Sequence, residues 1–166
     1  MSILITGGTG FVGINLVHHY AARGIGVTSL DLDLPDAVTR QFVSNLSAPV
    51  TFVCGDVRDA DILTALVKSH EIEYVIHAAA ITPDVERERQ NAFDIMDVNL
   101  MATIRILDLA RMSPHIKRTL VISSAAVYGV KPEDIPLREQ DPVAPGNLYA
   151  ISKYGSELLV DRYIAL

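Results

Sequence analysis

A chain of 166 residues is long enough for one domain with one sizeable core, and such a chain buries roughly 70% of the surface it exposes when unfolded. With 49% hydrophobic and 20% charged residues it has a globular balance that excludes a disordered majority. A net charge of −6, with Lys and Arg scattered along the chain, argues against a nucleic-acid partner.

The N-terminus lacks a basic leader, and its apolar run stops at Gly7 and Gly8, too early for a signal segment. No run of about 18 apolar residues offers a membrane span. The single cysteine, Cys54, cannot close an internal disulfide and is expected to be a small buried residue in a strand. Together these features predict a soluble, cytoplasmic protein with no membrane partner.

In chain order, apolar runs at residues 3–6, Gly26–Asp31, Val50–Cys54, 74–80 and 119–123 read as strands buried on both faces, as in a parallel sheet. Helical spacing separates them: Val12, Leu16, Val17, Tyr20 and Ala21 after the first strand, a fainter pattern over 35–46, and Ile62, Leu63, Leu66 and Val67 after the third. Glu86-Arg87-Glu88-Arg89 reads as a solvated stretch. The segment 92–112 is the longest helical candidate and is apolar around most of its circumference, so one face would cover the sheet and another would meet a partner chain. Residues 128–147, with Pro132, Pro136, Pro142 and Pro145, read as a long loop, and 148–166 as a final helix. This alternation predicts an α/β fold, a doubly wound parallel sheet of the Rossmann type, as one domain over 1–166.

Between the first strand and helix lies Gly7-Gly8-Thr9-Gly10-Phe11-Val12-Gly13. Glycines here allow a tight turn, close backbone approach to phosphate oxygens and close packing of helix on strand, while the helix N-terminus presents unpaired N–H groups to an anion. About 20 residues on, Asp31 ends the second strand, where a carboxylate accepts from ribose hydroxyls and repels a 2′-phosphate, favouring NAD over NADP. Asp33 reads as a surface strand end. Asp56, in Gly55-Asp56-Val57, lies where the adenine end should rest, or else caps the next helix.

Tyr149 and Lys153, four residues apart on the last helix, share a face, and an ammonium beside a phenol favours the phenolate, which makes a usable general base. Ser123 and Ser124 stand at the carboxyl end of the fifth strand, the sheet edge where ligands of open α/β sheets sit, so a serine there can hydrogen-bond a substrate oxygen. His18 and His19 point in different directions on a helix, and His70, His77 and His115 lack metal-binding spacing. No metal site is expected, and His77, within a buried strand, reads as structural.

These motifs together resemble the N-terminal half of the extended short-chain dehydrogenase/reductase family, in its nucleotide-sugar epimerase and dehydratase branch. The matching residues are Thr6 to Gly13, Asp31, Asp56-Val57, His77-Ala78-Ala79-Ala80, Asn99, Ser123 to Gly129 and Tyr149-Ala150-Ile151-Ser152-Lys153. The resemblance implies that Gly7, Gly10, Phe11, Val12, Gly13, Asp31, Asp56, Val57, Ala78, Ala80, Asn99 and Ser123 line the path of NAD. It also implies that Tyr149 is the acid/base, that Lys153 binds the nicotinamide ribose and favours the phenolate, and that Ser124 positions the reacting oxygen. In the implied chemistry Tyr149 removes a sugar hydroxyl proton while NAD+ takes the hydride from the same carbon.

Family members are about twice this long, so the resemblance implies that the substrate domain is absent, that the fifth strand is left as a sheet edge, and that this chain alone binds cofactor weakly and turns over little or nothing. It further implies a homodimer, the helices at 92–112 and 148–166, with Leu158, Leu159 and Ile164, pairing with their copies in a four-helix bundle. Two rival readings are an NADP-dependent carbonyl reductase, against which Asp31 argues, and a non-catalytic dinucleotide-binding module, against which Ser124, Tyr149 and Lys153 argue.

Overall fold

The structure, a computed structural model, describes residues 1–130 and 136–166. Strand and helix alternate: β1 (Ser2–Thr6), α1 (Phe11–Ala21), β2 (Gly26–Asp31), α2 (Ala37–Phe42), β3 (Val50–Cys54), α3 (Ala60–Ser69), β4 (Tyr74–His77), α4 (Val85–Gln90) and α5 (Ala92–Met96). A π-helical turn (Asp97–Met101) leads into α6 (Ala102–Met112), then β5 (Arg118–Val121), a 3₁₀ turn (Ala125–Tyr128) and α7 (Leu148–Ile164). All strand pairs are parallel, in the order β3-β2-β1-β4-β5. The chain therefore winds outward from β1 in one direction and returns to the other side at β4, which opens a crevice at the carboxyl ends of β1 and β4.

Alternation along β1 builds two cores. Leu4 packs with Leu63, Leu66, Val75 and Ile106 on the face covered by α3 and α6, while Ile3 and Ile5 pack with Val17, Ala21, Val27 and Ile76 on the face covered by α1. Among the described residues, no helix is long and apolar enough to cross a membrane.

Burial on both faces holds for β1, β2 and β4 but not for the edge strands β3 and β5, where exposed positions recur. Cys54 is corrected with them: at the end of edge strand β3 it is exposed, its thiol donating to Leu32 O at 2.9 Å. β4 stops at His77 rather than at residue 80 because its partner leaves. Ala78 N makes the last ladder bond, to Thr6 O at 3.1 Å, and Ala79 N is taken by the Thr6 hydroxyl, 3.3 Å, instead of a ladder carbonyl. β5 ends at Val121 in the same way, with Ile122 N making the last bond, to His77 O at 3.0 Å.

The fainter pattern over 35–46 shortens to the six residues of α2, capped by Asp36, which accepts from Thr39 N at 2.7 Å. The solvated stretch 86–89 is helical, as α4, and Glu88 is not simply a surface group, since its carboxylate accepts from Leu148 N at 2.5 Å and so anchors the start of α7. The long helical candidate is continuous from 92 to 112 but widens into the π-turn. The Asn99 carbonyl there accepts side-chain bonds from Thr103, 2.9 Å, and from Ser156 of α7, 3.3 Å. Pro136, Pro142 and Pro145 lie in a segment without helix or strand, as read; Pro132 lies outside the described residues.

His77 is buried in the middle of this framework, its Nδ1 2.7 Å from the Thr6 hydroxyl. The same hydroxyl accepts from Ala79 N at 3.3 Å, so it links β4 to the segment that follows it. Burial, reinforced by the charge of Lys153, pushes the imidazole pKa down to about 3. The unfolded chain takes up this proton near pH 6.5 and the folded chain does not, so stability is complete above about 6.5 and declines as the pH falls toward 3. We expect His77→Gln to flatten that part of the acid limb in urea unfolding measured between pH 4 and 7, whereas the wild type loses stability steadily across it.

Candidate active site

The crevice is lined by Gly7, Gly10, Asp31, Asp56, Val57, Ala78 and Ala80, bringing seven of the anticipated cofactor positions to one groove. Its floor is the glycine turn. Gly7 has φ +70°, and a Cβ there would sit 2.6 Å from Ala79 N, so a side chain would separate β1 from the start of the β4 exit. At Gly13 a Cβ would lie 2.0 Å from Gly7 O, so α1 can lean on the turn only as glycine.

The N-termini of α2, α3, α4 and α7 are each capped by a side chain, from Asp36, Asp59, Asp84 and Asn147. At α1 the N-cap is Gly10, which offers no side chain, and no acid stands in the first turn. The amide ends of Phe11, Val12 and Gly13 are thereby left to an anion, with the favourable end of the helix dipole behind them. The side chains of Phe11 and Val12 themselves project into solvent.

Asp31 faces this groove from the end of β2, and Thr9 fixes it. The Thr9 amide and hydroxyl both donate to Oδ2, at 2.9 and 2.6 Å, and Leu32 N donates to Oδ1 at 2.8 Å. Thr9 escapes a sequence reading because it looks like filler between two glycines. Asp33 is exposed, as read. Asp56 is not a helix cap; Asp59 has that role, accepting from Asp61 N and Ile62 N. The guanidinium of Arg58, hydrogen-bonded to Asp56, holds its carboxyl below the usual carboxylate range.

The second half of the site is carried by α7. Lys153 is buried, its Nζ donating to Ile122 O at 2.9 Å and standing 5.9 Å from the centroid of the half-buried Tyr149 ring. Burial lowers its pKa to about 8, so it remains cationic at neutral pH. Ser124 opens the 3₁₀ turn, its Oγ accepting from Ala126 N at 3.2 Å, which leaves the hydroxyl proton free to donate elsewhere.

The side chains of two anticipated lining residues bind protein instead. Asn99 exchanges two hydrogen bonds with the backbone of Ile81, 2.7 and 2.9 Å, and the Ser123 hydroxyl donates to Glu157 of α7. Glu157, like Glu88, is a long-range partner that no local spacing discloses. Among the described residues no cluster of metal-ligating side chains occurs.

An open parallel sheet with a glycine turn at its switch point and a Tyr/Lys pair facing the same edge defines a Rossmann-type α/β domain. The chain belongs to the NAD dependent epimerase/dehydratase family, whose model matches residues 3–166. It is 34% identical over 164 residues to the UDP-glucose 4-epimerase of Mycolicibacterium smegmatis, covering 98% of this chain and 51% of that one. It is 32% identical over 170 residues to the dTDP-glucose 4,6-dehydratase of Xanthomonas campestris, covering 96% and 48%. The crystal structure of UDP-glucose 4-epimerase from Bifidobacterium longum in complex with NAD+ and UDP superposes with a TM-score of 0.85 at 28% identity, covering 99% of this chain and 50% of that one. The chain thus spans about half the length of the relatives it matches.

The glycine geometry gives a contrast. Gly13→Ala should lower the thermal unfolding midpoint sharply, at a cost of roughly 3 kcal/mol or more, because backbone atoms cannot yield as a flexible side chain would. Gly10→Ala, whose Cβ would only touch Gly7 O at 3.4 Å, should cost under about 1 kcal/mol.

Proposed function

We propose that this chain is the dinucleotide-binding half of an NAD-dependent epimerase or dehydratase acting on a nucleotide sugar. The observation that carries the reading is convergence: an uncapped, glycine-built helix N-terminus and the Tyr149, Lys153 and Ser124 group face the same edge of one sheet. In this reading Gly7, Gly10 and the amides of Phe11, Val12 and Gly13 hold the pyrophosphate, and Asp31 accepts from the adenosine ribose. Asp56 and Val57 meet the adenine, Ala78 and Ala80 wall the groove, and Asn99 and Ser123 shape its far side. The epimerases and dehydratases it resembles, among them one crystallised with NAD+ and UDP, support the choice of cofactor and substrate class.

Bound NAD supplies a hydride acceptor. The protein's own residues handle the proton and the oxygen. Tyr149 Oη takes the proton from a sugar hydroxyl as its carbon is oxidised, and returns it when the ketone is reduced. The Lys153 ammonium, held in place by Ile122 O, stabilises the phenolate and reaches the nicotinamide ribose. The Ser124 hydroxyl, its lone pair engaged by Ala126 N, donates to the reacting oxygen and keeps it beside Tyr149.

Substrate contacts beyond these are assigned to sequence that the chain's longer relatives carry, and the cytoplasm is the setting this chemistry and the single cysteine favour. A homodimer through α5, the π-turn and α7 is part of the same proposal, supported by the exposed Phe93, Met101, Ile151 and Leu158 on those elements.

Titration of the chain should give saturable NAD binding that is tighter than NADP binding, and Asp31→Ala should bring the two affinities within about threefold of each other. Absence of saturable binding overturns the cofactor assignment. In a form that turns over a UDP-hexose, Tyr149→Phe should lower kcat by at least about a hundredfold while NAD affinity stays within a factor of about three; normal turnover would remove Tyr149 from the mechanism.

A further inference from the structure

The charged stretch Glu86-Arg87-Glu88-Arg89 folds as part of α4, in which Glu88 is half-buried and every other residue is exposed. So short and polar a helix has no apolar face to hold it and little stability of its own. Its place is set by its ends. Asp84 caps the first turn, accepting from Arg87 N at 2.7 Å, and the last turn runs across Asn91 into α5, whose Ile95 is fully buried. From this position Arg87 lines the groove while Glu88 turns to α7, its Oε1 accepting from Leu148 N at 2.5 Å.

Leu148 and Tyr149 open α7, in the turn whose amides have no partner within the helix and which frays first. The chain enters this turn from the segment that holds Pro142 and Pro145, so no strand or helix immediately before it keeps it in place. One turn on, Lys153 is fixed to Ile122 O at 2.9 Å. Ahead of it, at Tyr149, two caps act on the helix in different ways. The Asn147 side chain accepts from Ala150 N at 2.8 Å, which keeps the turn helical but travels with it. The Glu88 carboxylate reaches over from another element, 60 residues away in the chain, and ties the turn to the rest of the molecule. An ionised acceptor on a helix N-terminal amide also makes a stronger bond than a neutral one and complements the helix dipole.

We infer that Glu88 is a positioning residue for Tyr149: by anchoring the first turn of α7 to α4 it fixes where the phenol stands beside Lys153 and Ser124. The inference deepens the proposed mechanism and rests on Tyr149 as its acid/base. Glu88 itself touches neither substrate nor cofactor; it acts through the backbone amide of the residue before Tyr149.

Amide hydrogen exchange of the full chain reads the anchor directly. Glu88→Ala should speed exchange at Leu148, Tyr149 and Ala150 by about tenfold, while the amides of β1 and α3 exchange as in the wild type. Glu88→Asp keeps the charge but is one methylene short, and should behave like Glu88→Ala. Glu88→Gln keeps the reach and an acceptor oxygen, and should stay within about threefold of the wild type. In a form that turns over a UDP-hexose, Glu88→Ala and Glu88→Asp should lower kcat by about tenfold with KM and NAD affinity within about twofold, and Glu88→Gln should recover most of the loss. A merely structural role would instead speed exchange across the whole chain and lower kcat no further than the folded fraction falls.

Wild-type exchange at Leu148, or wild-type kcat, in a folded Glu88→Ala variant overturns this inference alone. Should Glu88→Ala fail to fold, Glu88→Asp and Glu88→Gln decide, and equal behaviour of the two overturns it. Normal turnover by Tyr149→Phe overturns the acid/base reading and the inference with it.

Discussion

The carboxyl edge of this sheet is organised by backbone passing over backbone with no side chain between. Gly7 leaves β1 in a left-handed conformation against Ala79, and Gly13 leans α1 directly on the Gly7 carbonyl. Around that approach the Gly7 amide makes the last β1–β2 bond, to Leu30 O, and the Thr6 hydroxyl bonds His77 and Ala79. It also aims the uncapped end of α1 into the crevice. A methyl group at either glycine would push the turn out and close the space proposed for a pyrophosphate, so fold and binding depend on the same few contacts.

A second set of contacts brings α7 to that edge. Lys153 reaches Ile122 O, Glu157 takes the Ser123 hydroxyl, Ser156 reaches Asn99 O in the π-turn, and Glu88 of α4 caps Leu148. Gly155 allows close passage, since a Cβ there would stand 3.0 Å from Leu100 of the π-turn. The π-turn is part of this arrangement: its widened backbone leaves the Asn99 carbonyl reachable from α7 while the Asn99 side chain holds the loop after β4. Tyr149 and Ser124 are thus positioned by polar contacts that α7 makes with α4, the π-turn and the segment after β5, and a buried ammonium stands at their centre. Burial lowers the pKa of that ammonium, and the carbonyl it meets keeps it oriented.

Most of the scaffold is legible in local patterns. Short continuous apolar runs give β1, β2 and β4, because these strands are covered on both sides, and 3.6-residue spacing gives α1, α3, α6 and α7. The same reading misplaces Cys54, because an apolar run does not say whether its strand lies in the middle of a sheet or at the edge, and strand order is a property of the assembled sheet. It reads Glu88 as solvated because a six-residue polar helix has no periodic signal, and its partner lies 60 residues away. Asp56 left two readings open, adenine contact or helix cap; three nearby acids and one arginine are indistinguishable as letters until Asp59 takes the cap.

By itself the sequence determined the elements, the glycine turn and the identities of the groups that can do chemistry, since these follow from backbone sterics, side-chain period and functional-group type within a few residues. Only the tertiary structure decided which strands are edges, which acid caps and which is clamped by Arg58, that Thr9 orients Asp31, and that Lys153 is buried against Ile122. Those outcomes depend on distances between residues far apart in the chain, and on desolvation, which no local spacing encodes.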